Sequence, residues 1–379
     1  MIAAFGTLWG KFASLIMSLA MLVGSTFGLF VPATTTSASD YFDGNIKNVI
    51  FLIGDGMGFN HLEKTKNEKG IDLVMDDFEI RGESMTRSFS AAVTDSAAGG
   101  SALATGVRTI NGYIAVYPMD PTASFSYPKS LTELFMENGK MTGVITTDET
   151  SGATPASFSS HSSSRNNTED ITDDQMRSGF DLIWGAENGV ANSNDARANG
   201  FTYVTTYDEM MNLPEGSRSF AQFTNDLWTV NQSDASTPTL EQMTMKAIDL
   251  LDDTDEGFFL MVEGAHIDKH SHSNDDAKMT EAVESFDNAI EYALEYAKAD
   301  GETLVIVTAD HETGAIVLND DGTYSFTSGS HSAANVPVLV YGTKSLIENG
   351  ETLNNYEIPI RIAYVLGFTE EEFTFEVAA

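Results

Sequence analysis

The 379-residue chain contains no cysteine. That excludes disulfides, thiolate metal sites and an anchor through a lipid-modified cysteine. The fold must be held by its core and by any metal it binds. Basic residues are scarce as well. Twenty Lys+Arg face 56 Asp+Glu, for a formal net charge of −36. Such a surface repels nucleic acid and anionic lipid, and any anion site on it must be positive locally. The acidity suits solubility in a salty or cold medium, where screening makes it tolerable; a surface for an acidic-binding partner is the alternative. No Asp-x-Asp-x-Asp-Gly loop is present, so a calcium-loaded acidic binding protein lacks its main sequence support. Neither an internal repeat nor a long low-complexity tract occurs.

Charge is missing from the amino terminus too. Residues 1–38 carry one charged side chain, Lys11, and residues 12–30 form a nearly unbroken apolar run followed by small residues. This order reads as a secretory signal cleaved after Ala33 or Ala38. An uncleaved anchor is the alternative, because 19 apolar residues are just enough to span a bilayer. A cleaved signal implies a secreted or periplasmic protein with no stable membrane association.

Apolar runs at residues 47–53, 142–146, 257–262, 303–308 and 336–341 read as buried strands. Helical patterns cover residues 96–105, 130–138, 240–251, 275–298 and 358–366. The alternation predicts an α/β fold, a central mostly parallel sheet with helices on both faces. Residues 162–238 are rich in Ser, Asn, Asp and Thr. They are expected to form a less regular insertion away from the sheet, with some helix near 173–184.

Ligands bind such sheets at the carboxyl ends of the strands. Three of the runs end in metal-type residues: Asp55 in Gly54-Asp55-Gly56-Met57-Gly58, then Glu263, then Asp310-His311. Five of the seven histidines lie between His266 and His331. Imidazole and carboxylate are what zinc takes when no thiolate is offered. Asp268 and His272 are four apart, which places both on one face of a helical turn, whereas His270 points away. A weakly binding histidine-rich surface tract is the bland alternative for residues 266–272. Asp55 also suits a plain turn residue.

Ser96 lies in Thr94-Asp95-Ser96-Ala97-Ala98, at the start of a helical pattern where backbone N–H groups favour an anion. Ser96 or Asp95 capping that helix is the simpler reading. No Gly-x-Ser-x-Gly elbow surrounds Ser96, so a serine-hydrolase triad is disfavoured, and a metal is the more suitable activator. Lys269, inside the metal-rich segment, suits an anionic substrate. Thr154 and Arg165 are weak signals by themselves; an arginine in so acidic a chain defaults to a surface ion pair.

Together these segments resemble the alkaline phosphatases. The matching segments are residues 53–58, 93–98, 153–156 with 161–165, 262–269 with His272, 309–314 and 329–331, in the family's order. The resemblance implies a single alkaline-phosphatase-like catalytic domain over residues 39–379. It implies two zinc ions per chain, one held by Asp268, His272 and His331, the other by Asp55, Asp310 and His311 and facing the nucleophile Ser96. It implies one magnesium, held by Asp55, Thr154 and Glu263. Arg165 would grip two phosphate oxygens in a fork, Asp95 would buttress it, and Lys269 would sit near the phosphate or its waters. The implied activity is hydrolysis of small-molecule phosphate monoesters through a phosphoserine at Ser96. A phosphodiesterase or sulfatase of the same superfamily is the alternative.

Two features depart from the family's pattern. Gly152 stands where other members place an aspartate or a histidine near the magnesium, which bears on that site's affinity and on its link to Lys269. His311 and His331 are only 20 positions apart. The crown insertion over the dimer in longer members is therefore expected to be reduced or missing, and a homodimer is compatible with the resemblance without being required by it. His266 and His270 receive no role.

Overall fold

The computed structural model describes residues 38–120, 124–224, 226–231 and 234–373. The expected signal segment, apart from Ala38, lies outside them. Ten strands form one sheet. In chain order they are β1 Asn48–Ile53, β2 Ile80–Met85, β3 Met141–Glu149, β4 Leu182–Ala186, β5 Thr202–Val204, β6 Ser219–Phe223, β7 Phe258–Glu263, β8 Thr303–Thr308, β9 Val336–Tyr341 and β10 Thr352–Asn354. Across the sheet they run β10-β2-β9-β8-β1-β7-β3-β4-β6-β5. β9 is antiparallel to both its neighbours, and the other pairings are parallel. The mostly parallel sheet expected from the sequence is therefore present.

Helices cover both faces, and the alternation of side chains along β1 shows how. Ile50 and Leu52 point into a core shared with the helices Leu240–Leu251 and Asp276–Asp300. Val49, Phe51 and Ile53 point into the opposite core, beside the helices Leu131–Glu137, Ala153–Ser159 and Glu357–Val365. A strand buried on both faces has to be apolar throughout, which is why this run was conspicuous in the sequence.

Residues 162–238 correct the sequence reading. They do not leave the sheet: β4, β5 and β6 extend it in parallel register from β3. The helix in this stretch is Thr168–Arg177, and Trp184 belongs to β4. These strands are short, and their buried positions include polar side chains. Trp184 Nε1 donates to Ser219 Oγ at 2.9 Å, and Gln222 Nε2 donates to Thr150 Oγ1 at 2.9 Å. Satisfied polar groups can be buried at little cost, and they diluted the apolar signal.

The register sets the site. Ile53 lies level with Thr308 on one side and Glu263 on the other, and Glu263 lies level with Thr146. Three parallel strands thus end together, with β3 in register beside them and running three residues further, and the residues just beyond share one edge.

Phe158 fixes the helix Ala153–Ser159 to this sheet. It is fully buried, edge-on to Phe51 at 5.9 Å and stacked on Phe259 at 6.2 Å. Phe158→Ala is expected to cost about 3–5 kcal/mol in a denaturant titration. A loss under about 1 kcal/mol would show that this contact does not secure the helix.

Candidate metal centre and active site

The strand ends deliver two clusters. Asp55, two residues beyond β1, meets Asp310 and His311, two and three residues beyond β8. His311 Nε2 is 3.5 Å from Asp55 Oδ1 and 3.4 Å from Asp310 Oδ2. All three residues are buried. The second cluster is Asp268, His272 and His331. His272 Nε2 is 3.3 Å from Asp268 Oδ2 and 3.1 Å from His331 Nε2, and His331 Nε2 is 3.6 Å from Asp268 Oδ1. In each cluster the candidate donor atoms lie within 4.8 Å of one another. The rings of His311 and His331 stack at 3.6 Å, so the two clusters adjoin.

Local sequence explains the convergence. The helix His266–His272 places Asp268 and His272 on one face through their four-residue spacing. His331 returns from a 20-residue excursion by pairing with Thr313 in a two-residue antiparallel ribbon. Within the excursion lies one small hairpin, Val317–Leu318 with Tyr324–Ser325. Gly56 sits at φ +73°, and a Cβ there would come within 2.8 Å of Asp268 Cβ. Only glycine lets the first loop approach the second cluster so closely.

The outer nitrogens of the histidines are already committed. His272 Nδ1 faces the Gly329 carbonyl at 2.8 Å, and His331 Nδ1 faces the Thr94 carbonyl at 2.9 Å. Thr313 Oγ1 donates to Asp268, so its oxygen accepts from His311 Nδ1 at 3.2 Å. Each ring therefore presents Nε2 inward, as a ligating histidine does.

The carboxylates are crowded and buried. Burial, and then Asp310, raise Asp55 well above the usual carboxylate range. Burial and Asp268 push Asp310 up to about 7, and burial and Asp148 push Glu263 up to about 8. His311 is lowered to about 3 by burial and by His331. Burial works to raise Asp268, yet hydrogen bonds from His272 and Thr313 and the charge of His311 hold it well below the usual range. The Asp268 hydrogen bond raises His272 to about 9. Asp55 Oδ1, Asp310 Oδ2 and the Thr154 hydroxyl are buried with no hydrogen-bond partner. Buried polar atoms normally have partners, and oxygen and imidazole donors around a shared space fit divalent cations.

Ser96 opens the helix Ser96–Thr105, and its Oγ lies 3.2 Å from His311 Nε2. Asp95 takes the cap role, accepting from Ala98 N at 3.0 Å, which frees the Ser96 hydroxyl. The other Asp95 oxygen pairs with Arg165 Nη1 at 3.2 Å. Glu263, at the end of β7, accepts from the Thr146 hydroxyl. Thr154 lies at the start of the helix Ala153–Ser159. Lys269 pairs with Asp148. Burial disfavours its charge, but Asp148, Glu263 and Asp55 outweigh burial and raise its pKa.

His266 and His270 belong to neither cluster. His266 stacks on Trp228 at 5.8 Å, and His270 meets the same ring edge-on at 4.3 Å. Sequence reasoning missed Thr313, which serves both clusters, and Asp148. Each carried a signal: Thr313 closes the Asp310-His311-Glu312-Thr313-Gly314 run, and Asp148 is an acid near the carboxyl end of an apolar strand.

The sequence matches the alkaline phosphatase family model over residues 46–183 and 184–328. His331 lies beyond that match, and the Thr313–His331 pairing and the Thr94 carbonyl hold it at the site. Alkaline phosphatase 4 of Bacillus subtilis is 33% identical over 342 residues, covering 83% of this chain and 73% of that protein. Alkaline phosphatase of Escherichia coli is 30% identical over 406 residues, covering 88% and 85%. The structure of alkaline phosphatase from the Antarctic bacterium TAB5 superposes with a TM-score of 0.72 at 32% identity, covering 86% and 98%. That enzyme has also been solved as a variant with magnesium bound. Sequence and fold agree with the two clusters and the serine between them: the chain belongs to the alkaline phosphatase family and is a phosphatase.

Proposed function

We propose that the chain is a zinc-dependent phosphomonoesterase working through a phosphoserine at Ser96. The observation that carries this reading is Ser96 Oγ lying 3.2 Å from His311 Nε2, at the junction of two clusters of candidate metal ligands. Asp268, His272 and His331 would hold one zinc, and Asp55, Asp310 and His311 a second. Asp55, Thr154 and Glu263 would hold a magnesium; the unpartnered Thr154 hydroxyl and the magnesium-bound TAB5 variant support that assignment. Bound zinc would supply Lewis acidity favouring the serine alkoxide and the leaving oxygen.

Ser96 Oγ loses its proton and attacks phosphorus in line. The Ser96 Oγ–P bond forms as the ester P–O bond breaks, and the alcohol leaves with a proton. Water then displaces Ser96 from phosphorus, giving inorganic phosphate and restoring the hydroxyl. Arg165, oriented by Asp95, holds two phosphate oxygens through both displacements. The more exposed cluster of Asp268, His272 and His331 provides the outlet for the alcohol. The apolar amino terminus supports export, with residues 39–379 as one catalytic domain. Small phosphate monoesters are the substrates.

Nitrophenyl phosphate is expected to be hydrolysed faster than its bis-ester; the reverse order would make the chain a diesterase. Ser96→Ala is expected to lose about 10³-fold or more in kcat and all phosphoryl labelling of the protein while keeping about two zinc ions per chain. Near-normal turnover would remove Ser96 as nucleophile, and absence of zinc from the active protein would remove the metal assignment. Arg165→Ala should weaken inhibition by inorganic phosphate about 10–100-fold without changing zinc content. Unchanged inhibition would refute its role.

Metal removal has a pH signature. Glu263 at about 8 and Asp310 at about 7 hold protons in the folded chain that unfolded carboxylates have already lost. Stability therefore falls as pH rises through 7 and 8. His272, raised to about 9, contributes stability that is likewise lost as pH rises through that value. His311, lowered to about 3, adds nothing further above the ordinary histidine pKa. Chelator-treated protein is thus expected to lose roughly 2–5 °C in Tm between pH 7 and pH 9, and added zinc should reverse the loss. A flat or rising Tm over that interval would contradict the crowding of carboxylates.

A further inference from the structure

Asp148 and Gly152 share one small volume at the end of β3. Gly152 opens the turn into the Thr154 helix at φ −53° and ψ 154°, a conformation open to any residue. What keeps a side chain out is space. A Cβ on Gly152 would lie 2.6 Å from Asp148 Oδ2 and 3.0 Å from its Cγ. The Asp148 carboxylate, arriving from four residues earlier, occupies the volume that a side chain at 152 would take.

Its position is fixed from several sides. Asp148 N donates to Thr146 Oγ1 at 2.8 Å, and the same hydroxyl donates to Glu263. Glu149 N donates to Asp148 Oδ1 at 2.7 Å. The carboxylate is then paired with Lys269, whose ammonium also acts on Glu263 and Asp55. The end of β3 is thereby wired both to a magnesium ligand and to the lysine beside it.

We propose that Asp148 is a positioning residue that pins and neutralises Lys269 beside the Glu263–Thr154 pocket, so that the pocket keeps its cation and phosphate is released. Both effects follow from the sign of the charges. An unpaired Lys269 would repel a divalent cation at Glu263 and attract a phosphate dianion at Ser96. Paired with Asp148, it does less of each. The assignment rests on the phosphatase reading above.

The test is calorimetric titration of the purified full chain with magnesium chloride and, separately, with sodium phosphate. Asp148→Asn keeps the shape and the Glu149 N–H bond but removes the charge. It is expected to weaken magnesium binding about tenfold and to tighten phosphate binding about tenfold. Structural damage would weaken both ligands, so a loss in both, or a change in neither, overturns the proposal. Asp148→Ala with Gly152→Asp returns a carboxylate to the same space. That double variant is expected to bring both affinities to within about threefold of the unsubstituted chain; a double variant no better than Asp148→Ala would overturn the account of Gly152. Turnover of nitrophenyl phosphate by the unsubstituted chain separates the two readings. Its absence overturns the phosphatase reading, whereas turnover accompanied by unshifted affinities overturns only the role of Asp148.

Discussion

Four carboxyl groups crowded at the carboxyl edge of one sheet are the constraint on which the rest depends. Asp55, Glu263, Asp268 and Asp310 are all buried there. Burial and mutual repulsion both disfavour their charged forms. Protons can relieve such a cluster, and so can cations. Burial and neighbouring acids raise three of the four well above the usual carboxylate range, which is the proton solution. The buried oxygens of Asp55 and Asp310 that accept no hydrogen bond point to the other. On the proposed mechanism, the divalent ions that would favour a serine alkoxide would also make the carboxylate cluster tolerable, which would couple folding to metal.

The scaffold serves that cluster more than it serves the serine. The level ends of β7, β1 and β8, with β3 in register beside them, set the spacing of the acids. Backbone carbonyls of Thr94 and Gly329 turn His331 and His272 inward. Thr94 also ties the loop leading into Ser96 to the open cluster, so Ser96 and His331 are registered to one another by that bond. Asp95 then serves two ends at once, capping the serine helix and holding Arg165.

Much of this was legible in the sequence, for identifiable reasons. β1, β7 and β8 are covered on both faces, so their apolar runs stood out and their ends announced Asp55, Glu263 and Asp310. The four-residue spacing of Asp268 and His272 required only helical geometry. What escaped was information carried by shape and by polar burial. β4 and β6 hide in a polar stretch because Ser219 and Gln222 are buried with partners. His331 is linked to Thr313 by strand register across a loop, which no local pattern encodes. Gly152 looked like a missing ligand, and nothing in the sequence shows that Asp148 fills its space.

The acidity of the chain gives these arrangements their purpose. With a net charge of −36, the surface repels a phosphate dianion at long range, and salt screens that repulsion beyond about 10 Å. Attraction must therefore arise within the site. Several basic residues are spent elsewhere: Lys64 on Glu68 and Asp276, Lys66 on Glu63 and Asp76, Arg361 on Glu351 and Glu357. Arg165 and Lys269 face the centre, and each is tethered to an aspartate, Asp95 or Asp148. A free cation beside bound metal would hold phosphate strongly and resist its departure. Tethering fixes each cation in place and lowers its net field. On the proposed role of Asp148, these tethers set how strongly the site holds phosphate at short range, where the surface charge is screened.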